Sequence, residues 1–231
     1  MKAVFFDAGG TLIHVDHARV ARAASAVLGR ELQAADFVTA EYAGRDAVER
    51  AMQAGAAPTD RSRWGIHFQG MMADLGVSDE EFERVGPAVI AEQRRTHLWT
   101  VVTPGTADAL VSLRRAGYRV ACISNADGTV DQLLAAAGLL EHLEFVVDSG
   151  RVGVEKPDPR IFRLALDQAG VRADESLYVG DIWSIDVVGA RSAGMEPVLL
   201  DPLGRYGHRR VRTAADVPSL ARELVSAREA A

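Results

Sequence analysis

The sequence is poor in the residues that mark several protein classes. Its 231 residues include one cysteine, Cys122, which excludes an internal disulfide and a cysteine-rich metal cluster. Lys2 and Lys156 are the only lysines, so the other basic residues are arginine. The apolar runs, such as residues 133–140, are far shorter than a membrane span. The first residues enter an apolar run without the layout of a secretion signal, so we expect a cytoplasmic protein with no membrane partner.

Charge and composition narrow the classes further. The chain has 26 basic and 32 acidic residues, a net charge of −6, and 48% of its residues are hydrophobic. These values are ordinary for a folded globular protein and argue against disorder. Non-specific nucleic-acid binding needs a basic face, which an acidic chain is poorly suited to supply. We therefore expect no nucleic-acid partner.

Short apolar segments alternate with helical patterns along most of the chain. The pattern over 106–116 places Leu110 and Leu113 on one face, and most of the helical patterns end at a glycine, a common residue just after a helix. This alternation is typical of an α/β fold with a parallel sheet and helices on both faces. The predicted strands are 2–6, 118–123, 143–147, 176–179 and 195–200, and the predicted helices are 106–116, 130–137, 159–169, 185–193 and 219–231.

The segment after the first strand has a different character. It shows four helical patterns and no convincing strand, over 16–29, 35–54, 59–75 and 79–95. The last helix follows Ser78 and carries Glu81 three residues later, which is a capping-box pattern. We therefore predict an all-helical domain over residues 14–100, inserted into a core domain formed by residues 1–13 and 101–231.

Two polar clusters follow the first two predicted strands. Asp7 precedes Gly9 and Gly10, so a carboxylate lies beside backbone amides that suit an anion. Ser124 and Asn125 follow the second strand and offer a hydroxyl and an amide for a phosphate oxygen. Each cluster also has a plainer interpretation, because Asp, Ser and Asn are common in turns.

Two further clusters carry charge near later strands. Lys156 lies in Glu-Lys-Pro-Asp-Pro, where an ammonium held by a stiff backbone could stabilise an anionic reaction centre. Asp181 directly follows a predicted strand, and Asp186 lies five residues further on. Paired carboxylates with open positions suit Mg²⁺. The alternatives are that Asp158 only caps a helix, and that Asp186 only serves a helix dipole.

The order of these four clusters resembles that of the haloacid dehalogenase-like hydrolase superfamily. The stretches Glu-Lys-Pro-Asp-Pro and Val-Gly-Asp, followed by Asp186 and Gly-Ala-Arg-Ser-Ala-Gly-Met, are highly specific to that superfamily, and the resemblance covers residues 2–201. It implies a Rossmann-like core whose five-stranded parallel sheet has the order 5-4-1-2-3, with the helical block as a cap domain.

The resemblance also implies a phosphatase mechanism. Asp7 would be the nucleophile that forms an aspartyl-phosphate. Ser124 and Lys156 would hold the transferring phosphoryl group, and Asn125 and Gly10 belong to the same substrate-binding set. The substrate would be a small phosphorylated metabolite, bound by a monomer or a homodimer.

A magnesium ion belongs to the same implied mechanism. Asp7, the backbone carbonyl of Gly9 and Asp181 would be its ligands, with Asp186 as a further ligand or as a partner of the ligands. The metal and Lys156 would together offset the repulsion between a carboxylate and a phosphate dianion.

The first motif departs from the pattern of most phosphatases in the superfamily. They carry a second Asp two residues after the nucleophile, and this chain carries Gly9, which cannot transfer a proton. We favour a Mg²⁺-dependent phosphatase whose proton transfers are slow or come from elsewhere. The candidates for that help are His14, Asp16, His17, Glu41 and Tyr42, although a helix-cap or surface position is the favoured interpretation of each.

Three alternatives remain open for the activity. A 2-haloacid dehalogenase would share the Asp-Ala start of the first motif. Those enzymes work without a metal, however, whereas Asp181 and Asp186 of this chain suit one. A phosphonate-cleaving enzyme would need a lysine in the cap, and residues 14–100 contain none. A nearly inactive or non-catalytic family member would bind phosphate without turnover.

Overall fold

The computed structural model describes residues 1–55 and 59–230. The chain divides into two compact units, one formed by Met1–His14 with Val101–Ala231 and the other by Val15–Thr100. We call them the sheet unit and the helical unit. No helix in the described part of the chain combines the length and apolar character that crossing a bilayer would require.

The strands form two sheets. In chain order they are β1 Ala3–Phe6, β2 His14–Val15, β3 Trp99–Val101, β4 Arg119–Ser124, β5 Val146–Asp148, β6 Ser176–Gly180, β7 Glu196–Leu200 and β8 Arg212–Ala214. The large sheet has the order β5-β4-β1-β6-β7-β8, and all its described pairings are parallel. Strands β2 and β3 form a separate two-stranded sheet.

The predicted strand order is confirmed and extended. The five predicted strands correspond to β1, β4, β5, β6 and β7, and they lie in the order 5-4-1-2-3 with Asp7 after the central strand. A sixth strand, β8, adds to the β7 edge and was not predicted. The predicted third strand, 143–147, is displaced: β5 spans Val146–Asp148.

The helices agree closely with the sequence patterns. They are α1 His17–Leu28, α2 Phe37–Gln53, α3 Asp60–Asp74, α4 Asp79–Arg95, α5 Thr106–Arg115, α6 Val130–Ala136, α7 Ser149–Val152, α8 Pro159–Ala169, α9 Val188–Ser192 and α10 Val217–Glu229. The predicted helix at 185–193 instead begins as a π-helical turn over Trp183–Val187, followed by α9. The short helix α7 was not predicted.

The central strands are buried on both sides, which explains their continuous apolar runs. Phe5 lies in a core cluster with Ile161, Phe162 and Ala165 of α8. Val4 and Phe6, whose side chains alternate with Phe5 along β1, are buried as well. Both faces of β1 are therefore covered, as expected for a parallel sheet.

The helical unit has its own hydrophobic core. Val20, Phe37, Met72 and Val85 belong to one buried cluster that draws on α1, α2, α3 and α4. The capping box predicted at the start of α4 is present, because Ser78 and Glu81 bond reciprocally. The predicted helix over 59–75 corresponds to α3, and residues 56–58, which precede it, lie outside the described range.

Candidate functional site

The carboxyl ends of three neighbouring strands bring together the residues predicted for the site. In the parallel register Phe6 of β1 lies beside Cys122 of β4 and Val179 of β6. Asp7 follows directly, and its N–H donates to the carbonyl of Val179 at 2.8 Å. Ser124 ends β4 and Asp181 follows β6. The sheet thus presents these polar side chains at one edge, where open α/β sheets bind ligands.

Lys156 is the only described cation that contacts the nucleophile candidate. Its side chain is 1% exposed. Its ammonium lies 2.8 Å from Oδ1 of Asp7, 2.9 Å from Oδ1 of Asp186 and 2.8 Å from the hydroxyl of Tyr178. An ammonium has three N–H donors, and these three acceptors use all of them. Burial alone would lower the pKa of Lys156, but Asp186 and Asp7 raise it above its ordinary value, so the group is charged.

Asp7 is held in place through one oxygen. Oδ1 accepts from Lys156 and from the N–H of Ala8 at 2.7 Å, while no hydrogen bond from the described residues engages Oδ2. Burial raises the pKa of Asp7 to about 8; Lys156 lowers it, and Asp186 and Asp181 raise it further. Burial and the neighbouring carboxylates thus oppose the ionised form of Asp7, and the Lys156 ammonium favours it.

Asp186 is satisfied by donors from the chain itself. The π-helical turn carries it back to the end of β6, where Oδ2 accepts from the N–H groups of Asp181 at 3.1 Å and Ile182 at 2.9 Å. Oδ1 receives Lys156 and the hydroxyl of Tyr178. A Cβ at Gly180 would overlap this carboxylate, so the glycine permits the approach. A carboxylate has about four lone-pair sites, and three of those on Asp186 accept N–H groups of its neighbours, with the Tyr178 hydroxyl 3.2 Å from Oδ1.

The three carboxylates form a site whose donor set fits a hard divalent cation. Oxygen atoms of Asp7, Asp181 and Asp186 lie within 4.8 Å of one another, and all three residues are buried. Gly10 has φ of +74°, and a Cβ there would collide with the Asp181 carboxylate, so a glycine is needed on two counts. Gly9 forms an isolated bridge with Ile13 in the same turn. Oxygen ligands from one or two carboxylates are what Mg²⁺ takes in proteins.

Asn125 contacts Lys156 rather than an open surface. Its Nδ2 donates to the carbonyl of Lys156 at 3.0 Å, and its Oδ1 accepts from the Lys156 N–H at 2.7 Å. The amide predicted to bind substrate thus clamps the backbone of the lysine. Ser124 is buried at the end of β4, and its hydroxyl makes one long bond, 3.4 Å, to the carbonyl of Asn125.

A family profile described as haloacid dehalogenase-like hydrolase matches residues 1–194 of the chain. The chain belongs to the haloacid dehalogenase-like hydrolase family. It is 37% identical over 137 residues to a phosphoserine phosphatase of Thermus thermophilus, a match over 58% of this chain and 53% of that protein. It is 30% identical over 204 residues to a glyceraldehyde 3-phosphate phosphatase of Methanothermobacter thermautotrophicus, which covers 87% and 86%.

The length of these matches varies among the family's curated members. The matched stretch spans about half of the phosphoserine phosphatase, and 51% of the mouse haloacid dehalogenase-like hydrolase domain-containing protein 3, to which the chain is 36% identical over 129 residues. The family assignment therefore rests on the profile and on the longer match.

Solved structures of the family share the fold. The HAD-hydrolase YfnB of Bacillus subtilis, described as bound to magnesium, has a TM-score of 0.68 at 17% identity and covers 96% of this chain and 98% of that chain. The L-2-haloacid dehalogenase of Xanthobacter autotrophicus has a TM-score of 0.62 at 24% identity and covers 97% and 98%. At these identities the likeness shows the fold alone.

Two buried residues of this family member were missed by the sequence reasoning. Asp148 accepts from the N–H groups of Gly128 and Gly150 at 3.0 and 2.9 Å, which shapes the loop after Ser124. An Asp before a helix start is a capping signal, so it could have been found. Tyr178 lies in an apolar strand and carries no such signal.

The helical-unit candidates for proton transfer lie in several different environments. Asp16 caps α1 by accepting from the N–H of Arg19 at 3.0 Å. Glu41 contacts two histidines: its Oε1 lies 2.9 Å from Nε2 of His17, and its Oε2 lies 2.8 Å from Nε2 of His67.

The other two candidates have partners of their own. In the sheet unit, His14 Nε2 lies 3.3 Å from the hydroxyl of Thr103. The ring of Tyr42 faces the Arg45 guanidinium, whose carbon is 5.3 Å from the ring centroid. A proton-transfer role for any of the five residues stays a prediction.

Proposed function

We propose that the protein hydrolyses phosphate monoesters of small metabolites through an aspartyl-phosphate on Asp7. The observation that carries this proposal is the buried Lys156 ammonium, 2.8 Å from Asp7 Oδ1, within a cluster of three carboxylates. A nucleophilic carboxylate, a fixed cation and a place for a divalent ion are the parts that phosphoryl transfer needs.

The first step forms a bond between Asp7 and phosphorus. No described residue donates a hydrogen bond to Oδ2, so we assign the attack to that oxygen. The bond from phosphorus to the leaving oxygen breaks, and the alcohol departs with a proton taken from solvent. Water then hydrolyses the acyl phosphate, which restores the Asp7 carboxylate and releases inorganic phosphate.

The phosphoryl group is held by the surroundings of Asp7. Lys156 neutralises part of its negative charge, and the Ser124 hydroxyl and the backbone at Gly10 are the neighbouring polar groups. We assign Asn125 to positioning Lys156, because both ends of its amide bond the lysine backbone. Such preorganised groups act on charge that develops in the transition state.

The chemistry of the donor set fits Mg²⁺. Asp7, Asp181 and the carbonyl of Gly9 are the groups we assign to it, and Asp186 would act by holding Lys156 and the backbone after β6. When bound, the ion would supply positive charge against the phosphate dianion and favour the ionised form of Asp7.

Gly9 shapes the substrate range in this proposal. The second Asp of most family phosphatases would donate a proton to the leaving oxygen, and glycine has no such group. General acid catalysis is worth roughly 10² to 10⁴ in rate. We therefore expect phosphates with good leaving groups to react faster than alkyl phosphates.

The curated relatives support a small phosphorylated substrate. Two of them are named for phosphoserine and for glyceraldehyde 3-phosphate. In our proposal the helical unit is the cap that selects the substrate, the active form is a monomer or a homodimer, and no nucleic acid or membrane takes part.

The test is phosphate release from an aryl phosphate and from a panel of sugar, amino-acid and triose phosphates, with and without Mg²⁺. We expect Mg²⁺-dependent release by the wild type that Asp7→Asn abolishes. Asp174→Asn is the matched control, because Asp174 is an exposed carboxylate paired with Arg172 at the surface. Equal release by the wild type and Asp7→Asn would refute the proposal.

A second arm distinguishes the other activities. The same proteins are incubated with 2-haloacids without Mg²⁺, and halide is measured. Halide release that depends on Asp7 would replace the proposal with dehalogenation, and phosphate binding without turnover would replace it with a binding role.

A further inference from the structure

Tyr178 is a fully buried tyrosine in the middle of β6. Its side chain is 0% exposed, and its ring packs edge-on against Phe162 of α8 with ring centroids 4.9 Å apart. A phenylalanine would make the same ring contacts. Burying a hydroxyl is unfavourable unless it has hydrogen-bond partners, so those partners indicate what the hydroxyl does.

The hydroxyl joins three parts of the candidate site. It accepts from the Lys156 ammonium at 2.8 Å. Its own proton lies within reach of two acceptors, the carbonyl of Ile123 at 3.1 Å and Oδ1 of Asp186 at 3.2 Å. The Asp186 oxygen also receives Lys156, whereas no other described side chain donates to the Ile123 carbonyl. The hydroxyl therefore ties Lys156 to β4 immediately before Ser124.

We propose that Tyr178 is a positioning residue, whose hydroxyl holds the Lys156 ammonium against the Asp7 carboxylate. The inference rests on the proposed function and deepens it, since it names a group that acts through Lys156 and not on the substrate. The ammonium needs three acceptors in a dry site. Asp7 and Asp186 supply two of these acceptors, and the hydroxyl of Tyr178 on β6 supplies the third.

The consequence of removing the hydroxyl follows from this geometry. Tyr178→Phe keeps the ring against Phe162 but leaves one N–H of a buried ammonium without an acceptor. The ammonium can then turn about its terminal bond and exchange its protons more readily. A hydrogen bond to a charged group is strong enough for its loss to change an equilibrium roughly 10-fold to 100-fold.

The low lysine content of the chain makes exchange of the Lys156 N–H protons directly observable. Lys2 and Lys156 are the only lysines, so protein labelled with ¹⁵N at lysine Nζ has two side-chain signals. Lys2 is 63% exposed and serves as the internal reference. We expect Tyr178→Phe to accelerate exchange of the Lys156 N–H protons with water at least about tenfold, with Lys2 unchanged.

Tyr118→Phe is the matched control for this experiment. Tyr118 is another buried tyrosine of the sheet unit, and its hydroxyl donates to the carbonyl of Leu224 at 3.1 Å. Both variants lose one buried hydroxyl that contacts a backbone carbonyl. Only Tyr178→Phe should change the Lys156 signal.

Kinetics supply the second readout. On an aryl phosphate we expect Tyr178→Phe to lower kcat roughly 10-fold to 100-fold with KM changed less than about twofold, because the misplaced ammonium weakens stabilisation of the transition state more than substrate binding. Tyr118→Phe should leave both constants near the wild-type values.

The outcomes separate this proposal from the proposed function. A Lys156 signal and kcat in Tyr178→Phe equal to those in Tyr118→Phe would overturn the positioning role. A protein without phosphatase activity would refute the function, while the lysine spectra would still decide the role of Tyr178. If Tyr178→Phe does not fold, the wild type is tested for a nuclear Overhauser effect between the Tyr178 ring and the Lys156 Cε protons, and its absence would overturn the proposal.

Discussion

Replacement of Gly10 by alanine tests how closely the turn after β1 fits Asp181. Gly10 has φ of +74°, and a Cβ built there would lie 2.6 Å from Cγ of Asp181, 2.9 Å from its Oδ1 and closer still to its Oδ2. Ordinary van der Waals contact begins at 3.4 Å. Either the Asp181 carboxylate or the turn that carries Asp7 must therefore move by roughly 1 Å to relieve the contact with Oδ2.

Two separate costs follow from the substitution. An L side chain in the left-handed region costs about 1–2 kcal/mol, which lowers the melting temperature by a few degrees in a protein of this size. The displacement of Asp181 adds a functional cost. A misplacement of about 1 Å in a catalytic site can cost about 100-fold in rate, so we expect about that loss in kcat/KM and a higher Mg²⁺ requirement.

Gly170→Ala separates the two costs. Gly170 ends α8 with φ of +64°, and nothing lies within 4 Å of the position of its Cβ. It carries the backbone strain without the collision. The assay compares both variants for melting temperature, phosphate release and Mg²⁺ affinity by calorimetry. Similar melting temperatures with a large difference in activity and Mg²⁺ affinity are expected; equal activity and affinity would contradict the reasoning.

Two further predictions concern the missing acid and the helical unit. Gly9→Asp should raise kcat for alkyl phosphates by up to about 100-fold and for aryl phosphates less, because only poor leaving groups need a proton; an equal response, measured by phosphate release, would show that the missing proton donor is not limiting. Burial alone would raise the pKa of Glu41, but His67 and His17 lower it well below its ordinary value. The contribution of ionised Glu41 to the stability of the fold is therefore complete above pH 4.5, the ordinary pKa, and is lost as the pH falls through the folded pKa. Glu41→Gln should cost roughly 2 kcal/mol of unfolding free energy at pH 6 and less at pH 3; a pH-independent difference in urea unfolding, with the exposed Glu31→Gln as reference, would refute this.

The regular elements of the sheet unit were predictable because their patterns are local. A buried parallel strand has a continuous apolar run, and an amphipathic helix ending at glycine has both its period and its stop in the sequence. Strand β8 was not predicted because Arg-Thr-Ala has no apolar run. It is an edge strand held by pairing with β7. The π-helical turn over Trp183–Val187 was not predicted because a helical period does not show where one extra residue enters the first turn.

For the candidate site, local patterns likewise predicted which residues take part but not which groups they contact. Asp7, Ser124, Lys156 and Asp181 were predicted as a set, since residues that follow parallel strands meet at one edge of the sheet. Their individual partners were not predictable. Asn125 has the same sequence signal whether it binds a ligand or clamps the backbone of Lys156.

The sequence alone determined the α/β class, the strand order implied by the resemblance, the inserted helical segment and the polar residues that end the strands. Only the tertiary structure decided which polar groups satisfy each other. Tyr178 reads as a core residue until the packing of β6 beside β1 places its hydroxyl on Lys156, and Glu41 reads as a surface residue until three helices bring two histidines to it. Such contacts join residues far apart in the chain, and their distances are fixed by register and packing rather than by any local pattern.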